Sequence, residues 1–379
     1  MAPKRLSTTD ATIAVANLDG EIVRLVATLA SPQGLSAARR AELGDRLTMR
    51  GQFLGRIVDY EKALQLAEEG VRLEPRNAIS WVARAKARAT FHEFKAALGD
   101  IEHAAAMGAS SEIDSVRAAV AQATGRYEEA LRLRRLVADT YPTIGSVGAV
   151  ASILAERGDI SEAEAEFTRA LALYRDVSPF PVAWLLHQQG QMWMRAGDYP
   201  RARALLDRAL EVLPPYAQAS NHLAWIEAAL GEAEKARARL DAVAGTADDP
   251  EAKGLLASVL QLSGQTVAAK TWHDLAASQY EDLISRHPRA FLDHAAAFWL
   301  GPTGNSQRAL ELARRNVSLR KTPQSWTLLM RAAQAAGERT TACAAAREGL
   351  AWGHETEPSQ ALAERASLER MARVCAAPV

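Results

Sequence analysis

Through most of the chain, apolar residues recur three and four positions apart, the spacing that gives a helix one apolar face. Small residues punctuate the pattern at fixed intervals. A glycine closes one helical stretch before the next opens at Gly125, Gly158, Gly197, Gly231, Gly264, Gly304 and Gly337, in steps of 33, 39, 34, 33, 40 and 33 residues. Five residues after each glycine stands an alanine: Ala130, Ala163, Ala202, Ala236, Ala269, Ala309 and Ala342. The same frame runs back to Ala97 and Ala63. Twelve positions before these alanines lie Gly51, Ala85, Ala118, Ala151, Gly190, Ala224, Ala257 and Ala297, and only Met330 breaks the series. Two small residues so placed let a pair of antiparallel helices approach closely. The glycine supplies the left-handed turn between them, and a proline such as Pro75, Pro142 or Pro214 stops the second helix.

This frame predicts nine two-helix units, at 44–77, 78–110, 111–143, 144–182, 183–216, 217–249, 250–289, 290–322 and 323–353. Unit four ends in the insertion Asp176 to Pro181, which reads as a proline-stiffened loop. The second helix of unit seven extends to about Arg286. Residues 10–30, with Ile13, Leu18, Ile22, Leu25, Val26 and Leu29, and residues 358–375, with Leu362, Leu368, Met371 and Val374, also alternate at helical spacing. They are expected to cap the apolar ends of the array, making residues 1–43 an N-terminal helical cap and 354–379 a C-terminal capping helix.

Several units come close to a known consensus. Gly190-Gln191-Met192-Trp193, followed by Gly197-Asp198-Tyr199-Pro200-Arg201-Ala202 and Pro214, is one such copy, and Gly125 to Ala130 with Pro142 is another. Trp81 and Trp326 fall at the first aromatic position. The pattern resembles the tetratricopeptide repeat, a helix-turn-helix of about 34 residues. The resemblance covers residues 44–353 and implies an all-α, right-handed α-α superhelix whose concave face binds other molecules.

Composition agrees with helices: alanine supplies 78 of 379 residues. The 45 basic and 45 acidic side chains cancel, so no global field favours nucleic acid or an anionic membrane. No apolar run resembles a signal peptide or spans a bilayer, so a cytoplasmic protein without membrane insertion is expected. A chain trimmed of a leader would look the same, and would be extracytoplasmic. Cys343 and Cys375 lack metal-ligand spacing. Two unrelated thiols are the favoured reading; a disulfide pinning the last helix to the final unit is the alternative, and it needs an oxidising compartment.

No nucleotide-binding loop, HExxH or CxxC motif is present, and no cofactor is expected. In the family the first helix of each unit lines the groove. Those of units five to eight carry large groups: Trp184, His187, Gln191 and Met194, then Asn221, His222 and Trp225, then Phe291, His294 and Phe298. Aromatics beside orienting polar groups form a binding wall if they face the groove, and a second core if the groove narrows around them. The groove-facing charges balance, Arg56, Lys86, Arg195 and Arg331 against Asp45, Glu112, Glu156 and Glu251, which disfavours a nucleic-acid ligand. A carboxylate clamp like that of chaperone adaptors would fall on His187, Gln191, His222, Glu251 and Leu255, a set that does not fit it. The expected function is a non-catalytic scaffold holding a protein segment or peptide. A sensor of a small molecule or short peptide is the alternative, and a metal-binding protein or metal-dependent enzyme using the groove histidines is a third reading.

Overall fold

The computed structural model describes residues 7–31, 34–108, 110–355 and 362–376, and side chains within these except those of 352–355 and 362–364. Among the described residues there are twenty helices and no strand. The first, α1 (Ala11–Leu29), is capped by Asp10, whose carboxylate accepts from the backbone N–H of Thr12 and Ile13. Hairpins follow: α2 (Ala37–Leu54) with α3 (Ile57–Leu73), α4 (Ala78–Thr90) with α5 (Phe94–Ala105), α6 (Ser111–Ala123) with α7 (Tyr127–Thr140), and α8 (Ile144–Arg157) with α9 (Ile160–Leu173). Next come α10 (Pro179–Arg195) with α11 (Tyr199–Val212), α12 (Ala217–Ala229) with α13 (Ala233–Ala244), and α14 (Glu251–Leu262) with α15 (Thr266–Arg286). The last are α16 (Leu292–Trp299) with α17 (Ser306–Leu319), α18 (Pro323–Ala335) with α19 (Arg339–Glu355), and then α20 (Leu362–Ala376).

The small-residue frame explains the pairing. Ala97, Ala130, Ala163, Ala202, Ala236, Ala269, Ala309 and Ala342 are all fully buried where the two helices of a hairpin meet. Stacked hairpins make an all-α superhelix, and it winds tightly. Helix α2 lies against α12, and α20 against α10. The inside is therefore partly filled: the Phe53 ring of α2 packs tilted against Phe180 at 5.1 Å and edge-on to Tyr216 at 4.8 Å, in one apolar core running from α1 to α12.

The structure departs from the sequence expectations in four places. Pro179, Phe180 and Pro181 form the first turn of α10 instead of a loop, because proline suits a position whose N–H has no helical partner. Gly304 makes no left-handed turn; α16 stops early at Trp299, and a side chain at 304 would lie 2.0 Å from the Trp299 carbonyl oxygen. The close contact in that hairpin falls on Ala295 and Ala296, so Ala297 is exposed. Finally, Cys343 and Cys375 are not separate thiols. Their Cα atoms stand 5.8 Å apart and the sulfurs are bonded, tying α19 to α20. Pro358 lies outside the described residues. On α1, Leu18, Ile22 and Leu25 are buried, while Ile13 and Val26 face outward.

Candidate binding site on the concave face

Two clasps close the first hairpins over the later ones. At the α2–α3 turn, Gly55 takes the left-handed conformation (φ 64°), and its carbonyl accepts the N–H groups of Asp248 and Asp249, each at 3.1 Å. A side chain at 55 would meet the Cβ atoms of Ala247 and Ala217 at 3.0 and 3.1 Å. The Asp248 carboxylate then accepts from the N–H of Ile57 in a short bond and from that of Val58 at 3.2 Å. It caps α3 from about 190 positions away, where the local N-cap residue, Arg56, offers no side-chain bond. In the second clasp, Glu61 of α3 pairs with Arg286 and, at 2.8 Å, with His287. His287 stacks on Phe91 at 4.0 Å. His92 has φ 56°, in the left-handed position that glycine fills in other hairpins, and its Nδ1 sits 3.1 Å from the Arg289 carbonyl.

Beneath these clasps runs a polar chain. His187 is buried, with Nδ1 3.1 Å from the Tyr216 hydroxyl and Nε2 2.9 Å from Nδ1 of His222. Each nitrogen has one partner, and the Tyr216 hydroxyl can donate or accept. Burial, reinforced by His222 and Arg195, pushes the His187 pKa well below the ordinary histidine value. Burial likewise brings His222 down to about 4. Gln191 Nε2 is 3.5 Å from the same His222 nitrogen. Asn221, also buried, lies close to Glu251, while its Oδ1 has no protein partner.

The chain opens onto a charged region. Burial raises the Asp249 and Glu251 carboxyls. Burial would lower His294, yet Asp293, Glu251 and Asp249 hold it above the ordinary value, so it favours the cation. Burial would likewise raise Asp293, but His294, Arg320 and His92 outweigh it and bring that carboxyl to about 2. His294 is reachable by solvent and at the same time walled by protein, as a residue in a concave space must be. Between α16 and α18 this region becomes a pocket of about 320 Å³, whose lining includes His294, Arg320, Gln324, Thr327 and Arg331. Arg320 Nη1 donates to Asp293 at 3.0 Å, and Arg331 is exposed with no ion-pair partner among the described residues.

Residues 194–259 match the family model for the tetratricopeptide repeat. That stretch carries tetratricopeptide repeats. Solved structures similar to this repeat protein include yeast Tom70, at 14% identity over 97% of this chain and 98% of that one, with a TM-score of 0.41. A human IFIT1 dimer with m7Gppp-AAAA gives 16% identity over 90% and 78%, TM-score 0.49. YrrB, described as a TPR protein with an unusual peptide-binding site, gives 16% over 48% and 90%, TM-score 0.30. No curated protein sequence matches the chain.

Within the repeat protein, the ten residues picked out from sequence separate into two groups. His187, Gln191 and His222 converge, Asn221 faces Glu251 instead, and His222 and His294 are close enough to interact electrostatically. The others do not join them in one wall. Trp184 is half-buried, its ring held close against α8 by the absent side chain of Gly148. Met194 packs on the long core. Phe298 covers Gly254 and sits among His273, Tyr280 and Trp299, so it is packing, in the hairpin whose close contact falls on Ala295 and Ala296. Phe291 lies half-buried, 6.4 Å from His287. Trp225 is 43% exposed, edge-on to Tyr199. Asp248, His92 and Arg320 were missed, since they sit in turns or after a helix end, outside the first-helix positions that the repeat frame scores. Among the described residues no three His, Cys, Asp or Glu side chains stand together to hold a metal ion, and no helix is long and apolar enough to cross a membrane.

Proposed function

We propose that this repeat protein is a non-catalytic scaffold that holds a segment of a partner protein by an acidic group, seated in the pocket between α16 and α18. One observation carries the reading: His294, Arg320 and Arg331 converge on a concave pocket of about 320 Å³ whose lining carries one carboxylate, Asp293, itself offset by Arg320, with Glu251 and Asp249 near enough to act on His294. Guanidinium groups and a cationic imidazole suit a carboxylate, and Gln324 and Thr327 supply further donors. The site thus lies further along the concave face than the aromatic residues suggested, because α10 and α12 turn much of their polar surface inward. On this reading α2 to α19 form nine repeat units between two capping helices. The Cys343–Cys375 bond supports an oxidising compartment over the cytoplasmic expectation.

The test is an array of random octapeptides with free or amidated ends, probed with wild-type protein and with Arg331→Glu. Bound peptides should be enriched in Asp, Glu or free carboxylate, and the variant should bind them at least about tenfold more weakly, the size of one lost charge-assisted contact. Lys86→Glu, at the far end of the groove, should bind as wild type does. Binding that ignores peptide charge would sink the proposal, as would a single-stranded RNA that displaces the peptides and binds more tightly.

A further inference from the structure

A cavity of about 700 Å³ lies away from the concave pocket, where the start of α1, the end of α2, the α11–α12 turn and α13 meet. Its size falls within the range of small-molecule sites. The walls are mostly apolar, with Val15, Leu54, Pro214, Pro215 and Val243 as the larger contributors. Helix α13 turns a single stripe toward it, Arg239, Ala242, Val243 and Thr246, at intervals of three, four and seven residues. That stripe runs about 10 Å along the helix axis, roughly the length of an eight-carbon chain.

Three polar features give the cavity a preferred ligand. Arg56 lines it, and its nearest carboxylate, Asp59 at 3.5 Å, already receives Nε and Nη2 of Arg50 at 2.7 and 2.8 Å. The Arg56 guanidinium is thus incompletely neutralised and 42% exposed. Arg239 uses Nε and Nη2 on Glu227, which leaves Nη1 without a partner. Ser220 also lines the cavity. It is only 4% exposed, yet its hydroxyl has no hydrogen-bond partner among the described residues. An apolar trough with cationic ends and a waiting hydroxyl matches an aliphatic chain that carries one anionic head.

We propose that this cavity is a second binding site, which takes a medium-chain aliphatic carboxylate with its head on Arg56 and Ser220 and its tail along the α13 stripe. The site is independent of the α16–α18 pocket. Isothermal titration with decanoate, decanol and decyltrimethylammonium tests it on the full chain. Decanoate should bind saturably at one site per chain, and decanol at least about tenfold more weakly, since a carboxylate adds a charge-assisted bond that the alcohol lacks. The ammonium should give no saturable heat. Ala242→Trp fills the cavity from an exposed position and should abolish decanoate binding with an unchanged melting temperature; Arg56→Gln should weaken it about tenfold. Arg331→Glu should leave it intact, which separates this site from the peptide pocket. The proposal is overturned if decanoate gives no saturable heat, if decanol binds equally well, or if Ala242→Trp still binds. It is also overturned if sedimentation shows a dimer that Ala242→Trp dissociates, because the cavity would then be covered by a second copy of the chain.

Discussion

Asp248→Ala should open the superhelix locally without unfolding it. The carboxylate holds two amides at the first turn of α3, one in a short bond to Ile57 and one at 3.2 Å to Val58. Nothing nearby replaces it, because Arg56 gives no capping bond. A hydrogen bond to a charged acceptor contributes about 1.5–3 kcal/mol net. The site is half-buried, so water recovers part of the loss, and about 2–3 kcal/mol for the pair is a fair expectation. That corresponds to roughly thirty- to a hundred-and-fiftyfold more frequent opening of the clasp. Amide hydrogen exchange read by mass spectrometry resolves it. Exchange should quicken in peptides covering 55–61 and 246–250, and also near 286–292, where Glu61 holds Arg286 and His287. Helices α17 to α19 should exchange as in wild type. Asp248→Asn keeps one acceptor and should fall between the two. Unchanged exchange at 55–61 would refute the idea that this carboxylate fastens the hairpins, and uniformly faster exchange along the whole chain would show a global fault instead of a local clasp.

Ala202→Leu and Ala236→Leu should each cost about 1–3 kcal/mol by overpacking, read as a lower urea midpoint, since both positions are fully buried between paired helices. Acid should destabilise the fold through His187 and His222, whose folded pKa values lie below the ordinary value: their contribution is complete above pH 6.5 and is lost as pH falls toward 4. For His222 the loss is on the order of 2 kcal/mol by pH 5, and His222→Gln should flatten the urea midpoint against pH; a profile as steep as wild type would count against it. The pair His187→Ala with Asn221→Ala should lower stability, because both side chains are buried; a wild-type melting curve would return them to the open groove. Reducing Cys343–Cys375 should speed exchange in α20, since closing a loop of 32 residues restrains the unfolded chain by about 3.5 kcal/mol in the entropy model; unchanged exchange would mean packing alone holds that helix.

What the sequence determined by itself was most of what is local and repeated. Alanine and glycine at a fixed interval allow only close-packed helix pairs, and stacking is then the one way to bury their faces, so the all-α superhelix was legible from the spacing. The end of α15 at Arg286 was legible too, because His287-Pro288 stops a helix on local grounds. Side-chain direction was less secure. In the hairpin of α16 the frame slipped, since Gly301-Pro302 ended the helix before the expected glycine, and Phe298 turned to packing while His294 stayed in the groove. What only the tertiary structure decided was how tightly the superhelix winds. Each hairpin adds a small rotation, and the sum brings Gly55 to Asp248 and Phe91 to His287, contacts between residues nearly two hundred positions apart. No periodic pattern encodes such a meeting. It converted part of the groove into a core, placed His187 in contact with Tyr216 and His222, and left a charged pocket open between α16 and α18.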